Sequence, residues 1–137
     1  MTPEDLARTH AAAFTRSRSW AAVEFSDLLN NRFIHAVGNT QSFALFQVIG
    51  DEAELLTIAT HPHVQRQGLA RNCMHEWHTK AKALGATRAV LDVAADNLPA
   101  IALYGHSGYR ACGERKGYYL RENNQKIDAI VMESALD

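Results

Sequence analysis

Apolar and polar residues alternate along this chain with two periods, about 3.6 and about 2.0, and the switches between them mark the elements. The opening TPEDLARTHAAAF carries the signals of a helix start. Thr2 can cap it, Pro3 takes the first helical position, and Glu4 and Asp5 suit the positive end of the dipole. Trp20 to Asn31 (WAAVEFSDLLNN) predicts a second helix, with Ala21, Phe25, Leu28 and Leu29 on one stripe. Phe33 to Val37 and Ser42 to Ile49 read as two strands around the polar turn Gly38-Asn39-Thr40. Gly50-Asp51 separates the second from a third strand, Glu54 to Thr60, and these three are expected to form an antiparallel meander. After Gly68, Ala70, Cys73, Met74, Trp77, Ala81 and Leu84 follow in steps of three and four, and Gly85 ends that helix. Arg71, His75, His78 and Lys82 lie off the stripe. The short apolar run Ala89 to Ala94 (AVLDVA) predicts a strand covered on both faces. Asn97 caps a further short helix, with Pro99 near its start and Gly108 near its end. Gly113 to Leu120 and Ile127 to Glu133 supply two more strands. The order predicts an α/β sheet of mixed strand direction.

Composition narrows the function classes. A chain of 137 residues suits one domain, 1–137, with a sizeable core. The formal net charge of -1 leaves no broad basic field for nucleic acid. No apolar run approaches the roughly 20 residues that cross a bilayer, so no membrane partner is expected. Met1 leads straight into the polar TPEDLART, without the look of a signal peptide. Cys73 and Cys112 are far apart and read as reduced thiols of a cytoplasmic protein.

The chemistry concentrates at Gln65-Arg66-Gln67-Gly68-Leu69-Ala70, which follows the strand ELLTIATHP and opens the long helix. A helix start exposes N–H groups without intrahelical partners and carries roughly half a positive charge, so it can receive a phosphate. Gly68 and Ala70 keep the backbone approachable. Arg66 and Arg71 can add charge-assisted hydrogen bonds at the rim, worth roughly 1.5–3 kcal/mol each. The plainer reading is a tight turn with solvated arginines. The turn is neither a P-loop, lacking Gly-Lys-Ser/Thr, nor GxGxxG.

In that context the segment resembles the acetyl-CoA site of the GNAT family of N-acetyltransferases, whose signature is Gln/Arg-x-x-Gly-x-Gly/Ala. LDVAADNLPAIALYGHSGY resembles the family's next strand and helix. Closer still is the likeness to the bacterial ribosomal-protein-alanine N-acetyltransferases. It is carried in order by Trp20 with Glu24-Phe25, by Glu54 to Ala59, by Gln65 to Ala70, by Arg115-Lys116-Gly117-Tyr118-Tyr119 and by Asp128-Ala129-Ile130-Val131-Met132. The resemblance implies a GNAT fold, a mixed, mostly antiparallel central sheet flanked by helices. The chain departs from it by starting almost at the first helix, without the usual first strand, and by having Gly105 after the tyrosine. A bare sheet edge offers a surface for a homodimer.

The resemblance also implies roles. Acetyl-CoA is the co-substrate, held by Arg66, Gln67, Gly68, Leu69, Ala70 and Arg71. The backbone of Ile58, Ala59 and Thr60 runs beside the pantetheine arm, so an irregularity is expected in that strand. Asn97 touches the cofactor as well as capping its helix. Asp92, the one acid in AVLDVA, stands where the ribosomal group has a catalytic glutamate, and an isolated carboxylate in an apolar strand requires an explanation. The alternative is a structural carboxylate held by backbone or by an arginine. Tyr104 matches the family tyrosine that protonates the CoA sulfur; the alternative is a core tyrosine beside Ala100 and Ile101. Tyr118 and Tyr119 either line the acceptor pocket or are ordinary strand aromatics. Trp20 and Glu24 read as structural.

The acceptor implied is a protein N-terminus. An α-amine has a pKa of about 7.7–8 against about 10.4 for lysine, so a modest base suffices. Small-amine acetylation and a non-catalytic acyl-CoA-binding module are the alternatives; no acidic cluster stands out for a cationic small substrate. His61-x-His63 and His75-Glu76-Trp77-His78 are not HExxH, because Thr79 stands where the second histidine should be. They read as solvated surface residues, and no metal is expected.

Overall fold

The computed structural model describes residues 1–14 and 19–137. Within them lie four helices, α1 (Pro3–Ala13), α2 (Ala22–Leu29), α3 (Leu69–Ala83) and α4 (Leu98–His106). Six strands accompany them: β1 (Ile34–Gly38), β2 (Ser42–Ile49), β3 (Glu52–Thr60), β4 (Arg88–Ala94), β5 (Arg110–Leu120) and β6 (Lys126–Ala135). The element order is the expected one, and no strand precedes α1 among the described residues.

Helix starts follow the local chemistry. The Asp5 N–H donates to the Thr2 hydroxyl and the Thr2 N–H to the Asp5 carboxylate, a reciprocal capping box with Pro3 in the first turn. The Ala21 N–H donates to Glu24 Oε1 at 3.0 Å, which starts α2 at Ala22, two residues after the expected Trp20. Asn97 Oδ1 accepts from the Ala100 N–H at 3.3 Å and caps α4.

The strands form one sheet in the order β1-β2-β3-β4-β6-β5. Every neighbouring pair is antiparallel except β3 and β4. β2 separates two cores, because its alternate residues face opposite sides. Phe43 and Leu45 pack with Leu6 and Phe25 under α1 and α2. Ala44, Phe46 and Val48 pack with Met74, Trp77 and Ala81 of α3.

The pairing of β3 is irregular. Leu45 faces Thr57 and Phe46 faces Leu55, so Leu56 is an extra residue in β3. An added residue reverses which side the following side chains face. Ala53 and Leu55 accordingly join the α3 core, while Ala59 joins the α1–α2 core. Thr57 also turns toward α1, where its hydroxyl meets His10 Nε2 at 3.2 Å. β3 pairs β4 in parallel at only three positions, Glu52 with Arg88, Ala53 with Ala89 and Glu54 with Val90. Beyond them the two strands run on unpaired with each other.

Two expectations need correction. β4 is not covered on both faces: Ala89, Leu91 and Val93 are buried against α3, whereas Val90, Asp92 and Ala94 are half-buried on the other side. The helices α1 and α2 pack against β1, β2 and β3 and leave this part of the sheet bare. His78 is not a solvated surface residue. Its Nε2 lies 2.7 Å from the Tyr109 hydroxyl, beside the Trp77 ring. His75 and His63 are exposed as expected. Cys73 is buried and Cys112 exposed, both free thiols. Among the described residues, no helix is long and apolar enough to cross a membrane.

Burial, with the nearby charges of Lys82 and His75, lowers the His78 pKa from its ordinary 6.5 to about 4. The unfolded chain therefore binds a proton before the folded one does. Stability is expected to hold above pH 6.5 and to decline as the pH falls toward about 4. Urea unfolding at pH 7 and pH 5 should show a loss that His78→Phe reduces.

Candidate active site

The parting of β3 from β4 opens the sheet at its centre. Leu55 to Thr60 of β3 have no partner on the β4 side, and Leu91 to Ala94 pair only with β6. The bulge at Leu56 bends β3 just past the last shared position. The irregularity expected beside Ile58, Ala59 and Thr60 is therefore present.

At the end of β3 a turn over Pro62–Val64 leads into α3. Gly68 precedes α3 with φ 78°, in the left-handed region that favours glycine. No side chain caps α3, and its first turn holds no acid. Fifteen residues of aligned peptide dipoles thus end in uncompensated N–H groups. A Cβ built on Gly68 would meet nothing within 4 Å, so the space in front of these donors is open. Arg66 also has a positive φ, 66°, which costs on the order of 1 kcal/mol for a residue with a side chain.

Thr60, Arg66, Gly68, Leu69, Ala70 and Arg71 line one cleft of about 430 Å³. Six of the expected cofactor residues are thereby brought together. Gln65 and Leu103 complete the lining. Both were missed, although Gln65 opens the motif and Leu103 immediately precedes Tyr104. Gln65 Nε2 donates to the Thr60 carbonyl at 3.2 Å and braces the turn. Gln67 is exposed beside the cleft, and Ile58 and Ala59 lie upstream on β3. Asn97 stands at the far end of α4 from Leu103, engaged as the cap.

Leu103 brings α4 to the cleft and Tyr104 behind it. Tyr104 is 6% exposed, its ring 6.0 Å from that of Tyr109. Burial, reinforced by Tyr119, pushes its phenol above the usual tyrosine range, so the hydroxyl keeps its proton at neutral pH. Tyr119 is pushed up to about 12, chiefly by burial and then by the negative charge of Asp92. Tyr119 is an electrostatic neighbour of both Tyr104 and Asp92.

Asp92 lies on the bare face, its side chain 18% exposed, paired with Arg115 Nε at 3.2 Å. The Arg115 guanidinium also sits 5.6 Å from the centre of the Tyr118 ring. Glu54, at the last position that β3 shares with β4, stands on this same face. It has no ion-pair partner among the described residues. Burial first, and then the charges of Asp92 and Glu52, raises its carboxyl pKa. The strand pattern of alternating Glu52 and Glu54 was the available signal for it. Trp20 and Glu24, read as structural, line a second cavity of about 400 Å³ with Asp27 and Leu28. Glu24 and Asp27, one helical turn apart, are the acids at its edge. No group of three or more His, Cys, Asp or Glu suited to a metal ion is present among the described residues.

Residues 6–109 match the sequence profile of the acetyltransferase (GNAT) family. The chain belongs to that family. It is 33% identical over 117 residues to the [ribosomal protein bS18]-alanine N-acetyltransferase of Escherichia coli K12, a match covering 82% of this chain and 78% of the relative. The crystal structure of the ribosomal-protein-S18-alanine N-acetyltransferase from Escherichia coli superposes with a TM-score of 0.87 at 28% identity, covering 98% of this chain and 88% of that one. Arabidopsis thaliana NAA60 in complex with acetyl-CoA shares the fold, with a TM-score of 0.82 at 19% identity over 99% of this chain and 96% of that one. The GNAT fold expected from the motifs is therefore the fold observed.

Gly68→Ala is expected to cost only about 1–2 kcal/mol in urea unfolding, since the left-handed φ is strained but no atom is struck. Gly68→Glu should in addition weaken binding of coenzyme A, measured by calorimetry, at least tenfold through like-charge repulsion, on the order of 1.4 kcal/mol or more. Unchanged affinity would remove the cleft from the binding site.

Proposed function

We propose that this protein moves the acetyl group of acetyl-CoA to the α-amine at the N-terminus of a protein, a ribosomal protein being the favoured acceptor. One observation carries the reading. The cleft at the head of α3 is lined by Thr60 at the end of the unpaired part of β3 and by Leu103 of α4, and Asp92 and Glu54 stand as electrostatic neighbours on the bare face of the strands that part. The relatives' alanine acceptor and the paired tyrosines support the choice of an α-amine.

The site fits the co-substrate. The open, uncapped helix start and Arg66 and Arg71 suit a pyrophosphate. The unpaired edge of β3 from Leu55 to Thr60 suits an amide-bearing arm, which can add to it like a further strand. Bound there, acetyl-CoA supplies an activated acyl group.

The residues then divide the proton work. On the bare face Asp92 attracts the incoming ammonium, and the Asp92–Glu54 pair takes its proton. Burial raises the Glu54 pKa toward that of the amine, which suits it to accept the proton. The nitrogen bonds to the acyl carbon as the carbon–sulfur bond breaks, and its second proton passes to solvent, which leaves the amide and in turn restores the proton that Tyr104 gives. Tyr104, still protonated, gives its proton to the departing sulfur. Tyr118 and Tyr119 line the approach of the acceptor chain. The free thiols, with Cys112 exposed, suit a reducing compartment such as the cytoplasm.

A small cationic amine is the second reading, favoured by the cavity edged by Glu24 and Asp27. Release of free coenzyme A, assayed with peptides of varied first residue and with polyamines, separates the two. Turnover confined to peptides beginning with Ala or Ser is expected; turnover confined to polyamines would reverse the order, and none with any amine would defeat both.

Tyr104→Phe should lower kcat by about tenfold to a thousandfold with little change in acetyl-CoA affinity. In the wild type, kcat/KM should rise with pH through the raised Glu54 pKa and fall above the amine pKa, about 7.7–8, as the ammonium that Asp92 attracts is lost. Tyr104, whose pKa lies above the ordinary tyrosine value of 10, should add no further descent below it. Glu54→Gln should remove the ascent.

A further inference from the structure

The segment that carries Tyr118 and Tyr119 is not a regular strand. Arg115 of β5 faces Ala129 of β6, and Tyr119 faces Ile127. β5 thus advances four residues while β6 advances two, and two residues of β5 are extra. An expanded bulge of this kind needs an acceptor for its displaced amides. Asp128 provides one: its Oδ1 accepts the Gly117 N–H at 2.8 Å. Gly117 itself has φ 57°, a left-handed conformation that a larger residue resists. The Asp128 carboxylate is also 3.5 Å from Lys116 Nζ. Its main-chain carbonyl accepts the Ala95 N–H at 2.8 Å, just past the end of β4. One residue therefore fastens the bulge to the exit of the strand that bears Asp92.

The geometry past the bulge depends on that fastening. Tyr118 and Tyr119 stand with ring centres 5.1 Å apart at 80°. Tyr118 lies beneath Arg115, and Arg115 holds Asp92. We infer that Asp128 is a positioning residue, which through the Gly117 bulge sets both acceptor-side tyrosines and keeps Arg115 on Asp92. The inference rests on the acetyltransferase reading for its consequence, and on the structure alone for the latch. Asp128 makes none of the contacts that line the cleft at α3, so its effect falls on the acceptor and not on acetyl-CoA.

The test compares Asp128→Ala, which loses the acceptor oxygen, with Asp128→Asn, which keeps one. Asp128→Ala should raise KM for an alanine-starting peptide about tenfold or more, the scale of one lost charge-assisted hydrogen bond. Acetyl-CoA affinity by calorimetry should stay within about twofold, and Asp128→Asn should recover most of the peptide KM. A defect shared equally by both substrates, or no rescue by Asp128→Asn, would overturn the positioning role. The latch is read without turnover from the Gly117 amide proton in a ¹H–¹⁵N spectrum. Its shift should follow ionisation of Asp128, whose pKa the Gly117 amide and Lys116 hold below the ordinary 3.8, and should move upfield in Asp128→Ala. A Gly117 signal indifferent to that substitution would overturn the latch. A wild type that turns over no amine would defeat the acetyltransferase reading and with it the acceptor role, while the amide shift still decides the latch.

Discussion

Two parallel strands that share three registered positions and then part leave unpaired backbone at the centre of a sheet. A protein sustains that arrangement only where something else can bond the exposed groups or where solvent reaches them. Here the separation is built in by the extra residue Leu56, which turns β3 away from β4. It is held open by cores on both sides. Phe25, Phe43 and Leu45 anchor the β1–β3 half beneath α1 and α2, and Leu91, Val93 and Met132 anchor the β4–β6 half beneath α3 and α4. The Trp77 and Phe46 rings, 5.4 Å apart, join the halves on the α3 side.

The opening organises electrostatics as well as shape. On the α3 side it meets a helix start without cap or acid, flanked by two arginines, which makes it a place for anions. On the bare side it meets Asp92 and Glu54, which make it a place for cations. Buried Tyr104 and half-buried Tyr119 carry hydroxyls whose protons are held chiefly by desolvation. The two faces of the opening thus present opposite charge.

Much of this was legible in local chemistry. Thr2 with Pro3, Asn97 and Gly68 each mark a helix start by a rule that needs only a few neighbouring residues, and each start lies where expected. What was not legible depends on partners distant in sequence. The apolar run AVLDVA gives no sign that α1 and α2 stop short of it, so Asp92 looked buried when it stands on a bare face. Nothing near Arg115 announces Asp92; the two meet because β6 lies between their strands and pairs with both. His78 sits off the helical stripe, yet Tyr109 follows α4 and supplies a neighbour that periodicity along α3 does not reveal. The bulge in β3 was anticipated only through family resemblance, because Leu55-Leu56 shows no break in pattern.

The two-sided opening bears on the order of events during turnover. On the proposed function donor and acceptor enter from different faces and do not compete, so both can be bound together. The acyl group can then pass straight to nitrogen, with no protein side chain carrying it in between. Cys73, one turn along α3 from the residues that line the cleft, is buried with its pKa raised by that burial, which suits it poorly to act as a relay. Such an architecture favours a ternary complex, whose double-reciprocal rate plots intersect, over a substituted-enzyme cycle with parallel lines.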